Sequence, residues 1–364
     1  MPLSVVSVAY PLVPVSPDTA GGAEQIVSIL DRQIVEAGHK SVVIACEGSR
    51  VRGRLVATPA WSGEIDATVR AWAAREHRRV IAQTVRESEI DVVHLHGMDF
   101  HEYLPEYLPD TRVPCLATLH LPPEWYPVSI FAEARQDLLY NCVSSSQRRR
   151  CPNSQVPIAT IHDGVDMESF RAPIKKKNYA VALGRICPEK GFHRAIGAAE
   201  RAGVPLILAG QVFRYQAHQD YFRREIAPRL NGRVRFAGAV GFRKKRRLLN
   251  GARCLLVAST VAETSSLVAM EALASGTPVI AFRSGALPEV VEHRRTGFIV
   301  ENEIEMADAI GRAGEIDPEN CRKSARERFS AARMGEEYIR TYREMIASRS
   351  DLAGAFSSYA GSRD

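Results

Sequence analysis

Cys254-Leu-Leu-Val-Ala-Ser-Thr-Val-Ala-Glu263-Thr-Ser-Ser-Leu-Val-Ala-Met-Glu271-Ala-Leu-Ala-Ser-Gly276-Thr-Pro278-Val-Ile-Ala-Phe282 is the stretch around which the chain is organised. Leu255, Leu256 and Val257 form a short apolar run suited to a buried parallel strand. From Ser265 onward, Leu267, Met270 and Leu273 fall at helical spacing. Thr264, Ser265 and Ser266 are natural N-caps, while Gly276 and then Pro278 close the helix. Val279–Phe282 reads as the next strand. A helix that begins at the carboxyl end of a parallel strand is where open α/β sheets bind anions, because free N–H groups and the helix dipole point there.

Two carboxylates frame that helix start. Glu263 precedes it and Glu271 follows eight residues later, roughly 12 Å along a helical rise. This is too far for an acid and base acting on one bond. It suits a ligand with hydroxyls at both ends and phosphates between them, and a nucleotide-sugar has that form. Two surface glutamates on a helix remain the plainer alternative on spacing alone.

Composition narrows the class. The chain has 364 residues, 45% hydrophobic and 25% charged, which suggests two ordinary globular domains. Seven scattered cysteines without a Cys-x-x-Cys pair read as free thiols in a reducing cytosol. Residues 1–10 read as a first strand, not as a signal peptide, and no run reaches the roughly 18 apolar residues of a membrane span. A net charge of +6 and a pI of about 9.0 favour anionic ligands or surfaces. The basic runs lack interleaved aromatics, which argues against nucleic acid.

Elsewhere the chain alternates strand and helix. Gly21-Gly22 stands between a strand at Val5–Ala9 and a helix ending at Gly38, where the backbone can approach a ligand or simply turn. Residues 66–88 read as a helix with Arg70, Arg75, Arg78, Arg79 and Arg86, either a solvated face or a contact for an anionic membrane. His94 and His96 lie at period two on a strand, without a third metal ligand in view. His120 ends the next strand, and Trp125 and Tyr126 beyond it offer aromatic surface for an acceptor. Strands are expected at 141–145 and Ile158–His162, with a linker at Phe170–Lys177. In the second half, Gly184-Arg185-Ile-Cys-Pro-Glu189-Lys190-Gly191 follows the strand Tyr179–Leu183. Arg185 and Lys190 at a strand's carboxyl end can neutralise a diphosphate leaving group. The loop lacks Gly-x-x-x-x-Gly-Lys-Ser/Thr and so is not a P-loop.

Together these elements resemble the family 4 retaining glycosyltransferases. The resemblance rests on Glu263-x7-Glu271 followed by Ala-x-x-x-Gly-x-Pro-Val-Ile-Ala, on Gly184-Arg185 with Glu189-Lys190-Gly191, on Thr118-x-His120, on Asp163-Gly164-Val165-Asp166, and on Gly238-Ala239-Val240. It departs after the first glutamate, where many members have Pro-Phe-Gly or Ser-Phe-Gly and this chain has Thr264-Ser265-Ser266. The Thr-Ser-Ser variant and His96-Gly-Met loop look most like bacterial members acting on secondary metabolites or surface polysaccharides.

The resemblance implies an α/β protein of GT-B fold, two doubly wound Rossmann-like domains facing a central cleft. It places an acceptor-side domain at 1–170 and a nucleotide-sugar domain at 171–330. A C-terminal helix at about 331–348 crosses back, and 349–364 is expected to fray. Catalytic roles fall to His120, Arg185, Lys190 and Glu263. Donor contacts fall to Gly22, Arg185, Lys190, Val240, Lys245, Glu263, Thr264, Ser265, Ser266, Leu267 and Glu271. The implied activity is metal-independent, retaining transfer of a hexose-type sugar from a nucleotide diphosphate-sugar to a hydroxyl acceptor, with no cofactor. Expected partners are the donor and that acceptor, with a cytoplasmic location and peripheral membrane contact through the basic N-domain surface. A nucleotide-sugar epimerase of the same fold and a non-catalytic nucleotide-sugar-binding protein are the alternatives.

Overall fold

The structure, a computed structural model, describes residues 1–19, 21–104, 113–132, 137–152, 158–172 and 174–360, with side chains through residue 348. Two parallel sheets organise it. The first contains β1 (Ser4–Val8), β2 (Lys40–Cys46), β3 (Arg54–Thr58), β4 (Val92–Leu95), β5 (Cys115–Leu119), β6 (Leu138–Cys142) and β7 (Ile158–Thr160). Its order is β3-β2-β1-β4-β5-β6-β7. The second contains β8 (Ala180–Leu183), β9 (Leu206–Ala209), β10 (Val234–Phe236), β11 (Cys254–Val257), β12 (Val279–Phe282) and β13 (Gly297–Val300), in the order β10-β9-β8-β11-β12-β13.

Both orders reverse direction once, between β1 and β4 and between β8 and β11. Such a switch point opens a crevice at the carboxyl ends of the strands, where doubly wound sheets bind ligands. The central strands are apolar on both faces, as helices on both sides require. Val5, Val6, Val8, Leu95, Leu255, Ile280 and Ala281 are all fully enclosed.

The Ala331–Ala360 helix packs on the first domain, where Met334, Tyr338, Ile339 and Tyr342 meet Leu3, Val5, Ile26, Leu116 and Ile161. Burial of apolar side chains such as Met334 and Ile339 contributes about 1.5–3 kcal/mol each. This helix continues to Ala360, where the sequence reading expected fraying from residue 349. That segment is alanine-rich and proline-free, and its one interruption, Gly354, costs only about 1 kcal/mol relative to alanine. Residues 361–364 lie outside the described residues.

The sixth strand also differs from expectation, spanning Leu138–Cys142 instead of 141–145. Ser144 caps the Ser145–Arg150 helix by accepting from the Gln147 N–H, so the chain leaves the sheet earlier. That helix start receives a carboxylate from the other domain. The Ser145 and Ser146 N–H groups donate to Glu289 at 3.0 and 2.5 Å, and Arg149 reaches the same carboxylate at 3.4 Å. A glutamate at a helix N-terminus is favoured by the dipole, and here it joins the two domains. Among the described residues no helix is long and apolar enough to cross a membrane.

Candidate functional site

Arg185, Lys190 and Glu263 sit on the loops at the second sheet's switch point, and Lys245 and Glu271 stand in helices of the same domain. In the second domain the Leu267–Ala274 helix follows β11, with Ser266 as a cap that makes no side-chain bond. Among the described residues no partner is recorded for the N–H groups of Ser265, Ser266, Leu267 and Val268. Four unpaired donors at a helix start form an anion-binding surface. Gly285, in the left-handed conformation at φ 55°, lies so close that an added Cβ would meet the Glu263 backbone at 2.2 Å. Glycine there keeps the Glu263 loop in place.

Each framing glutamate holds a lysine. Lys190 Nζ donates to both oxygens of Glu263, at 2.6 and 2.8 Å, and Ser259 Oγ donates to the same carboxylate. The Glu263 side chain is 9% exposed and that of Lys190 is 27% exposed. Lys245 Nζ pairs with Glu271 in a deeper position, with side chains 10% and 6% exposed. Burial raises the Glu271 carboxyl above its ordinary range, against the pull of Lys245. Lys245 also lies 3.4 Å from Gln25 Oε1 of the first domain and over the rings of Phe170 and Phe242.

The structure thus couples Lys190 to Glu263, and Lys245 to Glu271, across 73 and 26 residues. It does not bring Arg185 into an ion pair among the described residues; that side chain is exposed. Val240 is half-buried beyond Gly238, whose φ is 69°. A cavity of about 30 Å³ is lined by Leu183, Lys190, Ser259, Glu263, Ser266 and Val268. A larger one, about 490 Å³, lies by Ser4, His39, Arg52, Arg54 and Ile90 at the amino ends of the first sheet, away from these groups. Open sheets bind ligands at the opposite edge.

From the first domain, Gly22 opens the Gly22–Glu36 helix, and a Cβ placed on it would lie 3.7 Å from Leu267 Cδ1. Thr264 Oγ1 donates to the His120 carbonyl at 3.0 Å, tying the donor-side loop to the end of β5. The His120 ring stacks with His96, with Nε2 3.2 Å from His96 Nδ1. Burial lowers the His120 imidazole to about 4, so the ring is neutral at pH 7. His94 and His96 are pushed well below the ordinary histidine value by the same cause. His94 lies 2.7 Å from both Thr118 Oγ1 and Tyr342 Oη. His94 thus belongs to a buried polar network that reaches the C-terminal helix, and its ring lies 3.8 Å from that of His96.

Three features escaped the sequence reading or differ from it. Tyr126 was expected as acceptor-facing surface, yet it is buried and accepts from the Leu121 N–H, while Trp125 is 57% exposed. Asp163 is buried, and burial raises it to about 6 against the pull of Ser265 and Arg333. Finally, Cys187, Glu189 and His218, which the sequence reading did not group, bring ligand atoms within 4.8 Å of one another. His218 stands in the Gln216–Tyr221 helix, a segment with no motif to announce it.

Comparison with known proteins agrees with this architecture. A profile described as Glycosyltransferase Family 4 matches residues 20–169, and one described as Glycosyl transferases group 1 matches residues 166–328. A putative glycosyltransferase of Bacillus subtilis, YtcC, is 22% identical over 263 residues, 63% of this chain and 64% of its own. The first curated relatives are spanned by the chain over less than two thirds of their lengths. Among solved structures, AviGT4, a glycosyltransferase involved in avilamycin A biosynthesis, superposes with a TM-score of 0.72 at 24% identity, covering 95% of this chain and 99% of its own. Anabaena HepE in complex with UDP-glucose does so with a TM-score of 0.74 at 19% identity, covering 93% and 99%. Fold and topology define a two-domain α/β protein of the GT-B class. The two adjacent profile matches carry the assignment further: the chain belongs to the family 4-like glycosyltransferases.

Proposed function

We propose that the chain is a retaining glycosyltransferase that moves a hexose-type sugar from a nucleotide diphosphate-sugar to a hydroxyl acceptor, without a metal in the chemistry. The observation that carries this reading is the pairing of Lys190 with Glu263 and of Lys245 with Glu271 around an uncapped helix start. Each pair holds one cation and one hydroxyl-binding carboxylate. On donor binding, Lys190 and the N–H groups of Ser265, Ser266 and Leu267 take the diphosphate, and Arg185 adds charge from the loop edge. Glu263, released from Lys190, turns to hydroxyls of the transferred sugar, while Glu271 holds those of the ribose. Val240 borders the nucleobase. HepE, of the same fold, is seen with UDP-glucose.

Positive charge fixed at the diphosphate stabilises the departing group as the glycosidic bond breaks, and such preorganised donors are worth about 10²–10³-fold each. His120, kept neutral by burial, accepts or donates a hydrogen bond at the sugar without opposing the positive charge that develops at the anomeric carbon. The acceptor hydroxyl attacks from the leaving-group face, and a phosphate oxygen serves as base. Cleft closure seats Gly22 against the donor.

The exposed arginine face of the Ala67–Glu87 helix, with Arg75 and Arg86 toward solvent, suits contact with an anionic membrane from the cytoplasmic side. A thermal-shift screen against UDP-, GDP- and dTDP-sugars tests the reading, because a ligand bound only by the native state raises the midpoint. A midpoint raised by one nucleotide series supports it; no rise with any series at millimolar donor counts against it.

A further inference from the structure

The β8 loop presents Arg185 and Lys190 at its two ends, but the residues between them turn to a different element. Cys187 Sγ, a Glu189 carboxylate oxygen and a ring nitrogen of His218 lie within 4.8 Å of one another. Cys187 is buried and the other two are half-buried. His218 is held edge-on against the rings of Tyr215 and Phe213, at 5.2 and 6.3 Å. Its Nδ1 is inaccessible and has no hydrogen-bond partner. A buried polar atom left without a partner is destabilising and calls for an explanation.

We infer that Cys187, Glu189 and His218 form a binding site for a borderline divalent cation of the Zn²⁺ class. One sulfur, one nitrogen and one oxygen donor make a mixed set that such ions accept, with bonds of about 2.0–2.3 Å. A tetrahedron of that size separates ligand atoms by roughly 3.3–3.8 Å, so a contraction of about 1 Å completes the site. Mg²⁺ and Ca²⁺ prefer larger, all-oxygen shells, and the thiolate selects against both. Three protein ligands leave the fourth position to water. Charge also balances. On binding, the Cys187 thiol gives its proton to bulk water, and the thiolate and Glu189 carboxylate together neutralise the dication while His218 stays neutral. No oxidant or reductant enters.

The ion would tie the loop that carries Arg185 and Lys190 to the Gln216–Tyr221 helix, and so stiffen it. This claim is independent of the donor assignment, because its readout is metal binding and not transfer.

The test uses the reduced, metal-stripped full chain titrated with Co²⁺ alone and then with Zn²⁺. One Co²⁺ per chain should bind, with a near-ultraviolet thiolate-to-cobalt charge-transfer band that Zn²⁺ abolishes on displacement. The band should vanish in Cys187→Ser. Affinity should fall at least roughly tenfold in His218→Ala and in Glu189→Gln. Cys142 and Cys151, whose sulfurs lie 3.5 Å apart, are the competing thiols, so the Cys142→Ser/Cys151→Ser variant should keep the band. Absence of stoichiometric uptake by the wild-type chain overturns the inference. So does a band that survives Cys187→Ser, follows Cys142 and Cys151, or is indifferent to both His218→Ala and Glu189→Gln.

Discussion

Replacing Lys190 by alanine separates its observed pairing with Glu263 from the phosphate contact proposed for it. In the unliganded chain it satisfies Glu263 through two bonds of 2.6 and 2.8 Å. Removing one partner of a buried pair costs about 3–5 kcal/mol. Lys190 is about a quarter exposed and Ser259 still bonds the carboxylate, so the lower figure, about 3 kcal/mol, applies. For a domain of this size that lowers the melting midpoint by roughly 6–12 °C. The functional loss is distinct. A charge-assisted bond to a phosphate oxygen is worth about 1.5–3 kcal/mol, so affinity for free nucleoside diphosphate should fall about 10- to 150-fold. The double variant Lys190→Ala/Glu263→Gln removes the stranded carboxylate. Its midpoint should recover most of the loss while nucleoside diphosphate affinity stays weak. Calorimetry and thermal melts on the two single variants and the double complete the cycle. If affinity recovers together with the midpoint, the single variant's defect was one of folding, and Lys190 is not a phosphate ligand.

Three further outcomes are expected. Glu271→Gln should weaken free nucleoside diphosphate and nucleotide-sugar alike, whereas Glu263→Gln should spare the diphosphate and reduce turnover; the reverse pattern in calorimetry and steady-state kinetics would exchange their roles. Stability should decline as pH falls from 6.5 toward 4, because burial holds His77 and His120 at about 4 in the native state. Over that range the unfolded chain binds more protons, and each of these histidines removes about 3 kcal/mol. His94 and His96 act in the same direction, while Asp99 and Asp163, raised by burial to about 6, act in the opposite one; melting midpoints that stay level or rise on acidification would contradict the balance. EDTA should leave turnover largely intact even if it lowers the midpoint, and complete loss restored by Mg²⁺ would place a metal in the chemistry.

Much of this was legible from the residues alone, and the failures have local causes. The alternation of apolar strand and amphipathic helix, stopped by residues such as Gly38 and Gly276, announced both sheets. Gly276 takes the left-handed conformation, at φ 64°, that ends a helix. The edge of β6 was misplaced because Val143 continues an apolar run, while Ser144 is already committed to the next helix. Candidate site residues could be named one βα unit at a time, since Arg185, Lys190 and Glu263 lie in loops after strands while Lys245 and Glu271 stand in the helices beyond them. Their partners could not. The Lys190–Glu263 contact joins separate βα units, and the Tyr342–His94 contact spans 248 residues. Sequence spacing carries no record of such pairings. Cys187 and His218 were passed over for the same reason, because a ligand set divided between a loop and a later helix has no short motif.

The central claim, retaining transfer from a nucleotide diphosphate-sugar, is tested most directly by proton NMR of the donor that the thermal-shift screen selects. Incubated with enzyme and water or a simple hydroxyl acceptor, an α-linked donor should release nucleoside diphosphate and a sugar that first appears as the α anomer, before mutarotation. First appearance of the β anomer would contradict retention, and a donor that binds but is never cleaved, with any acceptor supplied, would point to a nucleotide-sugar-binding protein instead.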